Sequence, residues 1–134
     1  LLLFFRKEVL PCFLGTHPMD LYHVFCDLRP GVRDLAFVAA LNQWMGHLRD
    51  DGLVEGWRVT RAKLGFGVPG RGDWHVMIEV RDLSQLDAAF RRAAAREGAA
   101  EILHGCVNQL VTNASFALYR DFPDSFRVEG QERF

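Results

Sequence analysis

The nine residues from Asp20 to Leu28 constrain this chain more than any other stretch. Tyr22, Val24, Cys26 and Leu28 alternate with Leu21, His23, Phe25 and Asp27. A period of two is the pattern of a β-strand, whose side chains point to opposite faces in turn. Both sets carry large apolar groups, so the strand belongs inside a sheet covered on both faces. Arg29-Pro30-Gly31 then breaks it.

The rest of the chain supplies the partners. Asp34 can cap a helix running to about Asp50, with Leu35, Val38, Leu41, Met45 and Leu48 as its buried stripe. Phe37 and Trp44 widen that stripe, and Gly52 is a C-terminal stop. Val54 to Leu64 predicts a second strand, with Trp57, Val59, Arg61 and Lys63 on one face. Gly65 to Asp73 is a loop by composition, and Trp74 to Val80 is a third strand. There His75, Met77 and Glu79 face away from Trp74, Val76, Ile78 and Val80. Asp82 or Ser84 caps a second helix, with Ser84 and Asp87 at capping-box spacing. Its buried stripe is Leu86, Ala89, Phe90 and Ala93. A third helix is expected from about Ala100 to Val111, and a last strand from Ala114 to Phe122.

The resulting order, β-α-β-β-α-(α)-β, is an α+β, ferredoxin-like plan: a four-stranded antiparallel sheet with helices on one face. The other face would present Phe25, Met77 and the ring of Tyr119 or Phe116. That is too apolar to leave wet, and a second copy of the chain is the usual cover. The 134 residues, 49% hydrophobic, suit one domain. A net charge of -1 leaves no electrostatic footprint for nucleic acid.

Leu1 to Phe5 are apolar, but Arg6-Lys7-Glu8 interrupts them, and no run approaches the roughly 18 apolar residues of a membrane helix. A signal peptide has charge before its apolar stretch, the reverse of the order here. Met19 opens the clean strand pattern. Residues 1–18 therefore read as an extension upstream of the natural start, with a docked N-terminal element as the alternative. Residues 19–124 read as the domain, and 125–134 as a polar tail. Cys12, Cys26 and Cys106 are odd in number and lack a C-x-x-C pair, which argues for reduced cytoplasmic thiols and against a zinc site.

Three stretches together carry a resemblance. They are Met19 to Gly31, the hairpin around Gly65 to Glu79, and the ending Phe116-Ala117-Leu118-Tyr119-Arg120-Asp121-Phe122-Pro123-Asp124. In this pattern the chain resembles the dimeric α+β barrel superfamily, and within it an uncharacterised bacterial family of unknown function. The resemblance covers Met19 to Asp124 and implies two ferredoxin-like protomers packed sheet to sheet around a cavity. The superfamily includes cofactor-free monooxygenases, muconolactone isomerase-like enzymes, haem-dependent peroxidase-like enzymes and ligand-sensing regulator domains. So widely reused a fold says little about function by itself.

The motifs are weighed on chemistry. Gly65, Gly67 and Gly70 spell G-x-G-x-x-G, but a dinucleotide site needs a helix after that motif, and here a strand follows. The stretch reads as a hairpin loop able to act as a lid, with Gly67, Gly70 and Arg71 in it. Glu101-x-x-His104 is half of a di-iron motif with no second copy, and reads as an exposed helix face. His23 and His75 share the face opposite the helices and lie on strands that neighbour in this fold. With Glu79 they could form a facial metal triad, but two histidines without tight spacing are weak evidence for a metal. They could equally do acid-base or anchoring work on a bound molecule. Hydrogen bonding within the sheet or at the dimer seam is the alternative. Arg61 could grip a carboxylate, and Trp57, Glu79 and Tyr119 complete the candidate ligand-binding set. Cys26 faces the buried side and should be inert.

The expectation is a homodimer that binds, and as an enzyme would transform, a small apolar or aromatic metabolite. The reaction class would be monooxygenase- or isomerase-like, with no tightly bound cofactor or metal. The alternatives are a non-catalytic ligand-binding or stress-related module, and a haem- or metal-binding variant.

Overall fold

The computed structural model describes residues 17–124 and 126–132, so all but two residues of the expected N-terminal extension lie outside the described residues. The elements are β1 (Asp20–Leu28), α1 (Asp34–Asp50), β2 (Gly56–Arg61), β3 (Trp74–Val80), α2 (Leu83–Ala94), α3 (Gly98–Asn108) and β4 (Val111–Arg120). The sheet order is β2-β3-β1-β4, with antiparallel neighbours throughout. This is the ferredoxin-like plan read from the sequence, with β1 and β3 central.

Register fixes which residues share a face. Val24 pairs with Val76 and Phe116, while Phe25 pairs with His75 and Ser115. Tyr22, Val24, Cys26, Val76, Ile78 and Val80 therefore face the helices, where Val76, Val80 and Cys26 are among the most buried residues. Phe116 joins this side and Tyr119 the other, which resolves the choice left open between them.

The buried stripe of α1 is Phe37, Leu41, Trp44, Met45 and Leu48. Leu35, expected in it, is 78% exposed. The larger Phe37 takes the face, and two residues of helix rotate Leu35 well away from it. Asp34 is the first helical residue rather than the cap, and its Oδ1 accepts from the Leu35 N–H at 2.7 Å. On α2 the cap is Asp82, whose Oδ1 accepts from Gln85 N–H at 2.8 Å. Gln85 Oε1 in turn accepts from Arg81 N–H at 2.7 Å. The helix start is thus held by Asp82 on the Gln85 N–H and by Gln85 on the N–H before the cap, not by Ser84 with Asp87.

β2 ends at Arg61, three residues early, because Leu64 and Gly65 adopt positive φ (54° and 76°) and turn the chain. β4 begins at Val111, three residues early. Asn113, expected to end a helix, instead sits at φ 53° in a bulge where the β1–β4 register shifts. Its side-chain amide donates to Asp27 Oδ2 at 3.1 Å.

Candidate functional site

Two places in the fold collect chemistry, one on each face of the sheet.

On the open face the register sets His75 between Thr60 and Phe25, and His23 between Met77 and Ala117. The two imidazoles stack with centroids 5.0 Å apart, and His23 Nδ1 lies 2.7 Å from His75 Nε2. At that distance one proton is shared between them. Thr60 Oγ1 lies 3.2 Å from His75 Nδ1 and 3.4 Å from the His75 carbonyl oxygen. If the Thr60 hydroxyl donates to that carbonyl, protons run from His23 to His75 to Thr60, and His23 Nε2 is a bare lone pair. If it donates to His75 Nδ1, the order reverses and His23 Nε2 carries the hydrogen. In both arrangements His23 Nε2 is shielded from solvent and has no partner among the described residues.

The stack extends in both directions. Tyr119 meets His23 edge-on at 4.9 Å, Phe25 stacks on His75 at 4.5 Å, and the Arg71 guanidinium lies 4.6 Å over Phe25. Burial pushes the pKa of His23 down, and Arg71 adds to the effect. Burial lowers that of His75 as well, with His23 adding to it. Both rings favour the neutral form, which suits a shared N–H···N bond.

The remaining sequence candidates do not join this cluster. Glu79 is four residues from His75, about 13 Å along the strand, and its carboxylate lies beside Gly56. Trp57 and Arg61 point to the helix side. There the Trp57 indole N–H donates to Asn42 Oδ1 at 2.9 Å under the Arg49 guanidinium, and Arg61 reaches Asp34 at 3.5 Å over the Trp74 ring. Among the described residues no group of three or more His, Cys, Asp or Glu is gathered for a metal.

On the helix side the core is hollow. A cavity of about 230 Å³ lies between the sheet and the helices. Its walls include Val24, Cys26, Phe37, Leu41, Val76, Ile78 and Ala89. Phe90, Asn108, Ala114 and Phe116 line it while remaining exposed, so it opens along β4. Tyr22 stands at this end, with Phe90 edge-on at 5.2 Å and Phe116 stacked at 5.9 Å. His104 lines it from α3, its ring 5.2 Å from that of Trp44. His104 therefore faces inward, which corrects its reading as part of an exposed helix face. The signal was present in the spacing, since Ala100, His104, Val107 and Asn108 share one side of the helix. The Cys26 thiol in the wall is pushed up to about 11, first by burial and then by Asp27, so it stays protonated.

None of residues 62–73 lines this cavity, so the loop holding Gly67, Gly70 and Arg71 is not its lid. The loop is also pinned. A Cβ on Gly72 would overlap the Cys26 carbonyl group, and Asp73 N–H donates to Asp27 Oδ1 at 3.1 Å.

A model of a family of unknown function, DUF6614, matches residues 19–134. The chain belongs to that family. No curated protein matches the sequence. Solved structures share the fold at low identity. A mutant of SnoaB, a cofactor-independent oxygenase from Streptomyces nogalater, matches at TM-score 0.55 and 12% identity, over 84% of this chain and 100% of that one. A dimeric ferredoxin-like protein of unknown function from Jannaschia sp. CCS1 matches at TM-score 0.53 and 12% identity, over 76% and 96%. A dimeric protein of unknown function and ferredoxin-like fold from Bacteroides fragilis matches at TM-score 0.51 and 10% identity, over 77% and 96%. No helix among the described residues is long and apolar enough to cross a membrane.

Proposed function

We propose that this member of the family is a homodimeric small-molecule-binding protein whose apolar or aromatic ligand occupies the cavity between sheet and helices. The cavity itself carries the reading. Its walls are mostly apolar, so a small apolar molecule entering it exchanges water for contact with packed side chains. A cavity of roughly 150 Å³ takes benzene, so this one suits an arene of about two rings. The open-face apolar residues Leu21, Phe25, Met77 and Tyr119 suit cover by a second copy. Free Cys26 and Cys106 fit a reducing, cytoplasmic setting.

A second reading gives the protein a proton-transfer step at the His23–His75 pair, favoured by the partnerless His23 Nε2. A cofactor-free, oxygenase- or isomerase-like reaction would then take place between the two sheets rather than in the cavity.

Binding of Nile red, followed by its fluorescence, tests the first reading. The wild type should bind the dye and lose it to naphthalene, and Ala89→Phe, which fills the cavity, should remain folded and not bind. Equal binding by wild type and Ala89→Phe contradicts the cavity as the site. Sedimentation at micromolar concentration should give a dimer, and a monomer contradicts cover by a second copy.

A further inference from the structure

We infer that the partner's Arg58 fills the gap over Ala117 on the open face and donates hydrogen bonds to His23 Nε2 and Ser115 Oγ, so that the His23–His75 cluster is complete only in the homodimer. The inference rests on the homodimer proposed above and adds the residue that each copy lends the other.

The register sets Arg58, Met77, His23 and Ala117 in one row across the open face. Ser115 stands one row to one side of Ala117 and Tyr119 one row to the other. The small Ala117 side chain leaves a gap bounded by His23, Ser115 and Tyr119. Two atoms of that border, His23 Nε2 and Ser115 Oγ, are shielded and have no partner among the described residues. Their residues are diagonal neighbours on an antiparallel pair, about 7–8 Å apart at Cα. The other such atom, His47 Nε2 on α1, lies 3.5 Å from Asp51 Oδ2. Burial and Arg71 favour a neutral His23, and a neutral ring nitrogen with a lone pair accepts from a cation. Of the two proton orders in the His23–His75–Thr60 chain, such a contact selects the one that leaves His23 Nε2 bare.

Arg58 is the cation that matches. It is exposed on this face and makes no ion pair or hydrogen bond among the described residues. Arg71 is already engaged over the Phe25 ring. The guanidinium of Arg58 carries five donors in a planar fork, enough for both atoms. Tyr119, 62% exposed and edge-on to His23 at 4.9 Å, can turn its ring against the same guanidinium. Within one copy Arg58 lies three strands from Ala117, about 14 Å, beyond its own reach.

Symmetry brings the two together. Two sheets packed face to face as like copies are related by a two-fold axis that runs either across the strands or along them. An axis across the strands lays β2 over the partner's β2 and sets Arg58 against Arg58, like charges under cover, which is costly. An axis along the strands keeps every row at its level and lays β2 over the partner's β4. Arg58 then meets Ala117 of its own row on the other copy, twice in each dimer.

Dimer dissociation constants, measured by sedimentation on the full chain at neutral pH, test the contact. Arg58→Met, a change at an exposed position, should weaken the dimer about a hundredfold, tenfold at each of two equivalent contacts. His23→Phe/Ser115→Ala should weaken it by a similar factor, and adding Arg58→Met to that variant should change nothing further. Chains carrying Arg58→Met, mixed with chains carrying His23→Phe/Ser115→Ala, should form heterodimer beyond the statistical share, because it keeps one intact contact where each variant homodimer keeps none. Imidazole nitrogen shifts of the wild-type dimer should show His23 Nε2 without a hydrogen. A wild-type dimer that Arg58→Met leaves equally tight, a statistical mixture of the two variants, or a hydrogen on His23 Nε2 overturns the inference and leaves the homodimer standing. A wild type that is monomeric at micromolar concentration overturns both.

Discussion

The open face of the sheet gathers a linked set of polar groups, while the helix-covered face of the same strands lines a cavity with mostly apolar side chains. His23 and His75 share a proton at 2.7 Å, Thr60 closes the chain, and Phe25, Tyr119 and Arg71 continue the stack. Across the thickness of one strand, the walls of the hollow include no Asp, Glu, Lys or Arg. The open-face set still holds two shielded atoms without a partner among the described residues, His23 Nε2 and Ser115 Oγ, and a buried polar group left unpaired costs about 1–3 kcal/mol. The two faces thus differ in lining, linked polar and aromatic groups on one and a mostly apolar hollow on the other.

The largest effect should come from the point where the loop is pinned to the open face. Gly72→Ala places a Cβ against the Cys26 backbone, which cannot yield as a side-chain tip would. A loss of about 3 kcal/mol or more in urea unfolding is expected. A change under about 0.5 kcal/mol would mean that the loop is free and the open face less ordered than described. Next is acid. The folded pKa values of His23 and His75 lie below the unfolded value of about 6.5. Below pH 6.5 the unfolded chain therefore takes up protons that the folded pair resists, and stability falls as pH falls. The Tm should drop further between about pH 7.5 and 5 in the wild type than in His23→Phe/His75→Phe. Equal drops would detach the pair from the acid response. The smallest effect belongs to Thr60→Val, which removes the outer end of the chain at an exposed position. It should cost about 1 kcal/mol or less and leave binding in the cavity unchanged. Loss of that binding would show that the two faces are coupled.

Much of this was legible in the sequence. Alternation in Asp20–Leu28 and Trp74–Val80 assigned both faces and brought His23 beside His75, because a period of two leaves no other arrangement once the strands neighbour. Glu79 was harder. It shares a face with His75, but pairing with Gly56 and Leu21 sets it two rows away, and a shared face does not fix distance along a strand. Trp57 and Arg61 were assigned a face but not partners, and Asn42 and Asp34 come from a helix whose rotation the sequence left open. Leu35 shows the same uncertainty, displaced from the stripe by Phe37. The cavity was not legible at all. Its walls are the residues any core would use, and a hollow comes from the spacing of helices over the sheet rather than from residue type. His104 read as exposed although its spacing from Ala100 and Val107 already set it on the inward side of α3.

The division between the two faces is tested most directly by amide chemical shifts on adding naphthalene. The account predicts shifts on the helix side, at Ala89, His104 and Asn108, with Thr60 and Ser115 unmoved. Shifts centred on His23, Thr60 and His75 with none at His104 would contradict it and move the ligand to the open face.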